Sequence, residues 1–163
     1  MAVNYGKKFE LKMKADFLKS FPKGTIDRIY DTTMGYKKIS NVSDFIAYNY
    51  PFSYYLECKS TLSGTFNIGK LTQKDKLKAK MGIKGINAGV IIWFITKEKV
   101  CYVPIEEIDR LEKSGYKSVN SKMIGDKGFN VFEIPSELRV TFMDSNYSIL
   151  DEIAKEKLKT FDK

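Results

Sequence analysis

The stretch Tyr54-Tyr-Leu-Glu-Cys-Lys59 decides how the rest of the chain is read. Its residue types predict a β-strand, and period-two alternation puts Tyr55, Glu57 and Lys59 on one face, with Leu56 and Cys58 on the other. The second set is apolar and belongs to a core. Glu57 and Lys59 are then left side by side, facing a cleft. Upstream, Asp44 to Tyr50 predicts a second strand, joined to the first around Pro51 as a hairpin. That hairpin would carry the Asp44 carboxylate towards Glu57.

Working outward, Phe9, Met13, Phe17 and Phe21 recur every fourth residue, with lysines on the other faces, and predict a helix from Tyr5 to Phe21 ended by Pro22 and Gly24. Thr25 to Tyr30 reads as a short strand, followed by a polar segment from Asp31 to Asn41 containing Gly35. Ile68 to Met81 reads as a helix. Ala88 to Thr96 is almost wholly apolar and bounded by turn signals, as in a buried central strand. Val100 to Val103 predicts a strand, Pro104 to Lys113 a helix, Phe129 to Ile134 and Arg139 to Met143 two further strands, and Ser145 to Leu158 a C-terminal helix. The order predicts one α/β domain over residues 1–163, with helices flanking a mixed central sheet.

Composition narrows the chemistry. The chain has 163 residues and no histidine, which excludes Ser-His-Asp and Cys-His catalysis and every histidine-bound zinc site. Its 28 basic side chains outweigh 20 acidic ones, for a net charge of +8. All but Arg28, Arg110 and Arg139 of the basic residues are lysines. Such a surface suits a polyanionic partner held through phosphates, with few arginines to read bases. Cys58 and Cys101 are expected in the core. The N-terminus lacks the apolar stretch of a secretory signal and no segment is long enough to cross a bilayer, so a cytoplasmic protein with no membrane partner is expected.

Two carboxylates sharing a site repel one another unless a cation joins them. With no imidazole available, the matching cation is an oxygen-seeking Mg²⁺ or Mn²⁺. Lys59 beside them can offset charge that develops on a phosphate. Asp, a hairpin, then Glu-x-Lys is the core pattern of the PD-(D/E)XK nucleases, with Ser43 standing where their proline is expected.

More of the chain resembles the RecU-type Holliday junction resolvases, particularly the shorter RecU-like proteins of phages. The likeness runs through Asn4-Tyr-Gly-Lys-Lys-Phe-Glu10, Ser43-Asp44-Phe-Ile-Ala-Tyr48 and Tyr55-Leu-Glu57-Cys-Lys59-Ser60. It continues through Gly64-Thr-Phe66, Gln73 and Ala88-Gly-Val-Ile-Ile-Trp-Phe94. It implies a restriction-endonuclease-like fold and a homodimer that nicks four-way DNA junctions with Mg²⁺. By the same resemblance Asp44, Glu57 and Gln73 fall where that family binds metal, Lys59 where it places its transition-state lysine, and Glu10 where a glutamate could orient water. The segment from Asp31 to Asn41 lies where RecU proteins carry a stalk, and is shorter.

The lysines after the site form two stripes on the expected helix. Lys70, Lys74 and Lys78 make one, Lys76 and Lys80 the other, and both are candidates for tracking DNA phosphates. The expected function is a structure-selective, metal-dependent endonuclease that resolves Holliday junctions by paired symmetric nicks. The alternatives are a nuclease of the same fold acting on forks or flaps, and a non-catalytic basic DNA-binding or recombination-modulating protein.

Overall fold

The protein is seen in a computed structural model whose description covers residues 4–35 and 37–163, and leaves aside the side chains of 32–34 and 37–39. Helix α1 (Tyr5–Ser20) starts at Asn4, whose side-chain oxygen accepts from the Lys7 N–H at 3.0 Å. Phe9, Met13 and Phe17 are buried along its length, at the helical spacing the sequence shows. Then come β1 (Thr25–Arg28), a small hairpin of β2 (Thr32–Met34) and β3 (Lys37–Ile39), β4 (Phe45–Asn49) and β5 (Phe52–Thr61). The hairpin occupies most of the expected stalk-like segment, part of which lies outside the described residues.

The chain continues through β6 (Thr65–Asn67), α2 (Lys74–Lys78), β7 (Ile86–Phe94), β8 (Lys99–Pro104), α3 (Ile105–Lys113) and β9 (Ser118–Asn120). It closes with β10 (Phe132–Ile134), β11 (Ser136–Arg139), β12 (Phe142–Ser145) and α4 (Ile149–Lys159). The main sheet has six strands in the order β1-β4-β5-β7-β8-β10. Only β5 and β7 run parallel; every other pairing in it is antiparallel. The crossover between those two strands carries β6 and α2, and β6 pairs with β9.

Each face of the sheet has its own core. On one side α1 and α4 cover Phe45, Tyr54, Leu56, Cys58, Trp93 and Tyr102. On the other, α2 and α3 cover Ala88, Val90, Ile92, Phe94, Cys101 and Val103. Strand β7 is therefore buried on both faces, which is why its sequence from Ala88 to Phe94 is an apolar run. Gly89 in its middle has a packing reason: a Cβ there would lie 2.4 Å from the Tyr102 ring. Both cysteines are buried, as expected.

Three expectations need correction. The helix expected over Ile68 to Met81 is interrupted: a 3₁₀ turn spans Ile68–Lys70, and α2 holds only Lys74–Lys78. Leu71 and Leu77 are both buried, yet on one continuous helix they would point roughly 120° apart, so the chain breaks to bury each. Lys70, Lys74 and Lys78 therefore do not share a helical face. Arg139 to Met143 is not a strand but spans the tip of the β11–β12 hairpin, because Arg139 pairs with Phe142 across Val140 and Thr141. The C-terminal helix starts later than Ser145, which pairs with Ser136 at the end of β12.

Candidate active site

Strands β4 and β5 pair with Phe45 opposite Leu56, so the next pair outward is Asp44 and Glu57. The Asp44 N–H donates to Glu57 Oε2 at 3.0 Å. In return the Asp44 carboxylate folds back over β5, where its Oδ2 accepts from the Cys58 N–H at 2.8 Å. Lys59, two residues along the same face, places Nζ 3.3 Å from Glu57 Oε1. The hairpin thus brings Asp44, Glu57 and Lys59 together as the spacing predicts. The site is not the open cleft expected, however: Glu57 is only 1% exposed.

Glu10 reaches this group from α1 through Arg28 of β1. Arg28 Nε donates to Glu10 Oε2 at 3.1 Å, and its Nη1 lies 3.5 Å from Asp44 Oδ1. The same Nη1 donates to the Asp44 carbonyl at 3.1 Å and to the Ile29 carbonyl. Positive and negative groups alternate from Glu10 through Arg28 and the Asp44–Glu57 pair to Lys59. Sequence reasoning missed Arg28. The signal was present, since Ile26 of the same strand points into the core and Arg28 shares its parity. A charged side chain on the inward face of a strand needs a partner.

The six-stranded order and this carboxylate pair set the chain beside known folds. No protein-family model matches it, and no curated protein is detectably similar in sequence. Its fold is similar to that of an archaeal Holliday junction resolvase. That structure is Hjc, a Holliday junction resolvase of the hyperthermophile Archaeoglobus fulgidus. The two superpose with a TM-score of 0.54 at 14% identity, covering 72% of this chain and 89% of that one. The architecture is accordingly the restriction-endonuclease-like one that the sequence predicts, a mixed sheet flanked by helices.

Burial governs the electrostatics. Loss of solvent, followed by the adjacent Asp44 charge, pushes the Glu57 carboxyl up to about 7 from its ordinary 4.5, and Lys59 opposes the rise. Glu10 is also raised, first by burial and then by Asp44, against the pull of Arg28. Burial drives the Cys58 thiol well above its usual value, which leaves it an inert core group. Among the described residues no group of three or more Asp, Glu, His or Cys side chains is gathered to hold a metal. The chemistry of the donor set nonetheless fits a hard cation. It offers two adjacent carboxylates, and one carries an ionisation penalty that a bound cation would relieve.

The remaining expected site residues divide. Gln73 precedes α2, and its side-chain Oε1 accepts from the Thr72 hydroxyl at 2.8 Å; it makes no hydrogen bond to Asp44 or Glu57. Lys74 and Lys78 each lie 2.8 Å from a Glu112 carboxylate oxygen on α3, and Lys78 also lies 3.2 Å from Asp109. Lys76 donates to Ser40 at the foot of the β2–β3 hairpin. Lys80 sits 4.8 Å above the ring of Tyr55, on the sheet face that carries Glu57. Lys70 is exposed and has no ion pair among the described residues. No described helix is long and apolar enough to cross a membrane.

Proposed function

We propose that this chain is a structure-selective, metal-dependent DNA endonuclease that resolves Holliday junctions by paired symmetric nicks. The observation that carries the reading is the Asp44–Glu57 pair, with Lys59 3.3 Å from Glu57, just before β4 and midway along the neighbouring β5. The fold shared with Hjc supports it. A four-way junction has two-fold symmetry, so two symmetric cuts call for a homodimer with one site per subunit. The landmarks from Asn4 to Glu10 on α1 and from Tyr55 to Ser60 on β5 favour the RecU-like branch of such enzymes. An enzyme of this kind would work in the cytoplasm, a host's cytoplasm if phage-encoded.

Asp44 and Glu57 would hold Mg²⁺ or Mn²⁺, which when bound supplies positive charge to the phosphate under attack. Gln73, engaged with Thr72, is left out of that set. Lys59 carries a fixed positive charge beside the carboxylates and would stabilise the charge that builds on the phosphate oxygens. Glu10, whose raised pKa keeps it a better proton acceptor than a free carboxylate, would orient and deprotonate water. Arg28 holds Glu10 and Asp44 in register. Lys80, over Tyr55 on the face that carries Glu57, and the exposed Lys70 and Lys76 would follow phosphates whatever the base sequence.

The test is a cleavage panel of four-way junctions, forks, flaps and linear duplex, with Mg²⁺, Mn²⁺ or EDTA. Paired nicks in the junction, lost in Asp44→Asn and in EDTA, are expected. Preference for forks or flaps would move the substrate while keeping the chemistry. One observation favours a non-catalytic DNA-binding role instead: Arg28 and Lys59 already neutralise the carboxylates internally. Junction binding without cleavage under either metal would establish that reading.

A further inference from the structure

A cavity that includes none of Asp44, Glu57 and Lys59 in its lining lies under α4 on the α1 side of the sheet. It has a volume of about 780 Å³ and is walled by Tyr102 and Phe132 of the sheet and by Ile149, Ile153 and Phe161 along and just beyond α4. A volume of that order is typical of pockets for small organic molecules. Apolar walls predominate, but two polar features inside it call for a partner.

The first is Asn87 on β7, which lines the cavity at 5% exposure. Its side-chain amide makes no hydrogen bond to the rest of the chain. The amide opens onto the cavity, where its donors and acceptor are available to a molecule that enters. The second is the sign of charge at the mouth. Glu106, Glu107, Glu152 and Glu156 line the cavity beside Arg110 and Lys157. Three of these carboxylates are engaged, Glu107 with Arg110 at 2.5 Å, Glu106 with Lys157 at 2.6 Å and Glu156 with Lys159 at 2.6 Å. Glu152 has no ion-pair partner among the described residues. In a chain of net charge +8, this is an acidic opening onto an apolar chamber.

We infer that the cavity is a binding site for an amphipathic organic amine. Its apolar or aromatic body would lie between α4 and the sheet, with a hydrogen-bonding edge against Asn87 and a protonated amine at Glu152. The uncompensated Glu152 carboxylate disfavours phosphates and carboxylates there relative to amines. The site is independent of the proposed nuclease chemistry, whose carboxylates belong to β4 and β5.

Three probes with one indole body separate the contributions: tryptamine, neutral 3-methylindole and anionic indole-3-propionate. Binding to the full chain is measured by calorimetry and ligand-observed NMR, with thermal melts confirming that each variant is folded. Tryptamine should bind at least about tenfold more tightly than indole-3-propionate. Ile153→Trp, which fills the chamber, should weaken tryptamine by about tenfold or more. Glu152→Gln lies at the mouth and does not threaten folding. It should lower the preference for the amine several-fold and leave 3-methylindole unchanged, whereas Asn87→Leu should weaken all three probes. The inference is overturned if the propionate binds as well as the amine, if Glu152→Gln leaves that preference intact, or if folded wild-type protein takes up no tryptamine at millimolar concentration.

Discussion

Glu57→Gln should make the metal-free protein more stable while abolishing cleavage. The folded protein holds the Glu57 carboxyl at about 7, against an ordinary 4.5. Between those values the folded state binds a proton that the unfolded state has released. Stability must therefore fall as pH rises through that window, and level off above it. At about 1.4 kcal/mol per unit, the ionised Glu57 costs the metal-free fold about 3 kcal/mol at pH 8. Glutamine removes the charge but keeps an oxygen to accept the Asp44 N–H, and Lys59 is exposed enough to turn to water.

Urea denaturation in EDTA should consequently show the variant level with wild type near pH 4 and up to about 3 kcal/mol more stable near pH 8. Saturating Mg²⁺ should reverse the order at pH 8, because binding that favours the folded state adds about 2.7 kcal/mol at a hundred times Kd. Only the wild type should gain it. A variant no more stable than wild type at pH 8 in EDTA would refute the argument that burial and Asp44 strain this carboxyl. An equal Mg²⁺ gain in both proteins would refute the placement of the cation.

Lys59→Ala should slow single-turnover cleavage by about 10²-fold with junction affinity nearly unchanged, as for loss of one transition-state charge partner; a pure loss of affinity would make Lys59 a simple phosphate contact. Lys70→Ala should flatten the plot of log affinity against log salt by up to about 0.9. Lys74→Ala with Lys78→Ala should change that slope less than two free lysines would, since both must first leave Glu112; a two-unit change would mean that DNA breaks those ion pairs. Val140, 96% exposed at the tip of the β11–β12 hairpin, has φ +54, a conformation that strains β-branched residues. Val140→Gly should therefore raise stability by about 0.5–1 kcal/mol in thermal or urea melts, and a loss of stability would show that the tip is not strained.

Much of the site was legible because strand geometry is strict. Period two fixed the face of Glu57 and Lys59, and a short hairpin left Asp44 no other neighbour. The buried run at β7 announced the two-sided sheet for the same reason. Helix α2 was misread because lysine spacing invites a helical reading that burial of Leu71 and Leu77 forbids. Hydrophobic demand outweighed a pattern of solvated charges. The lysine stripe disappeared with the helix, and α3 took two of its members into ion pairs that no local spacing foretells.

What the sequence could not supply was depth. Alternation says which face a carboxylate occupies and nothing about how much water reaches it. Glu57 and Lys59 share a face, yet one is sealed and the other partly open. That difference comes from residues far away in the chain: α1 brings Glu10 and β1 brings Arg28 to one edge of the pair. Two carboxylates in contact with one guanidinium and one ammonium form a nearly neutral chain of charges, so the metal-free protein can fold around a group that is costly to ionise. A cation entering between Asp44 and Glu57 would compete with Arg28 for Asp44 and with Lys59 for Glu57. Its binding would then release both basic groups towards an incoming phosphate. On the proposed reading, the residues that offset the charge of Asp44 and Glu57 would therefore also be those best placed to meet a phosphate.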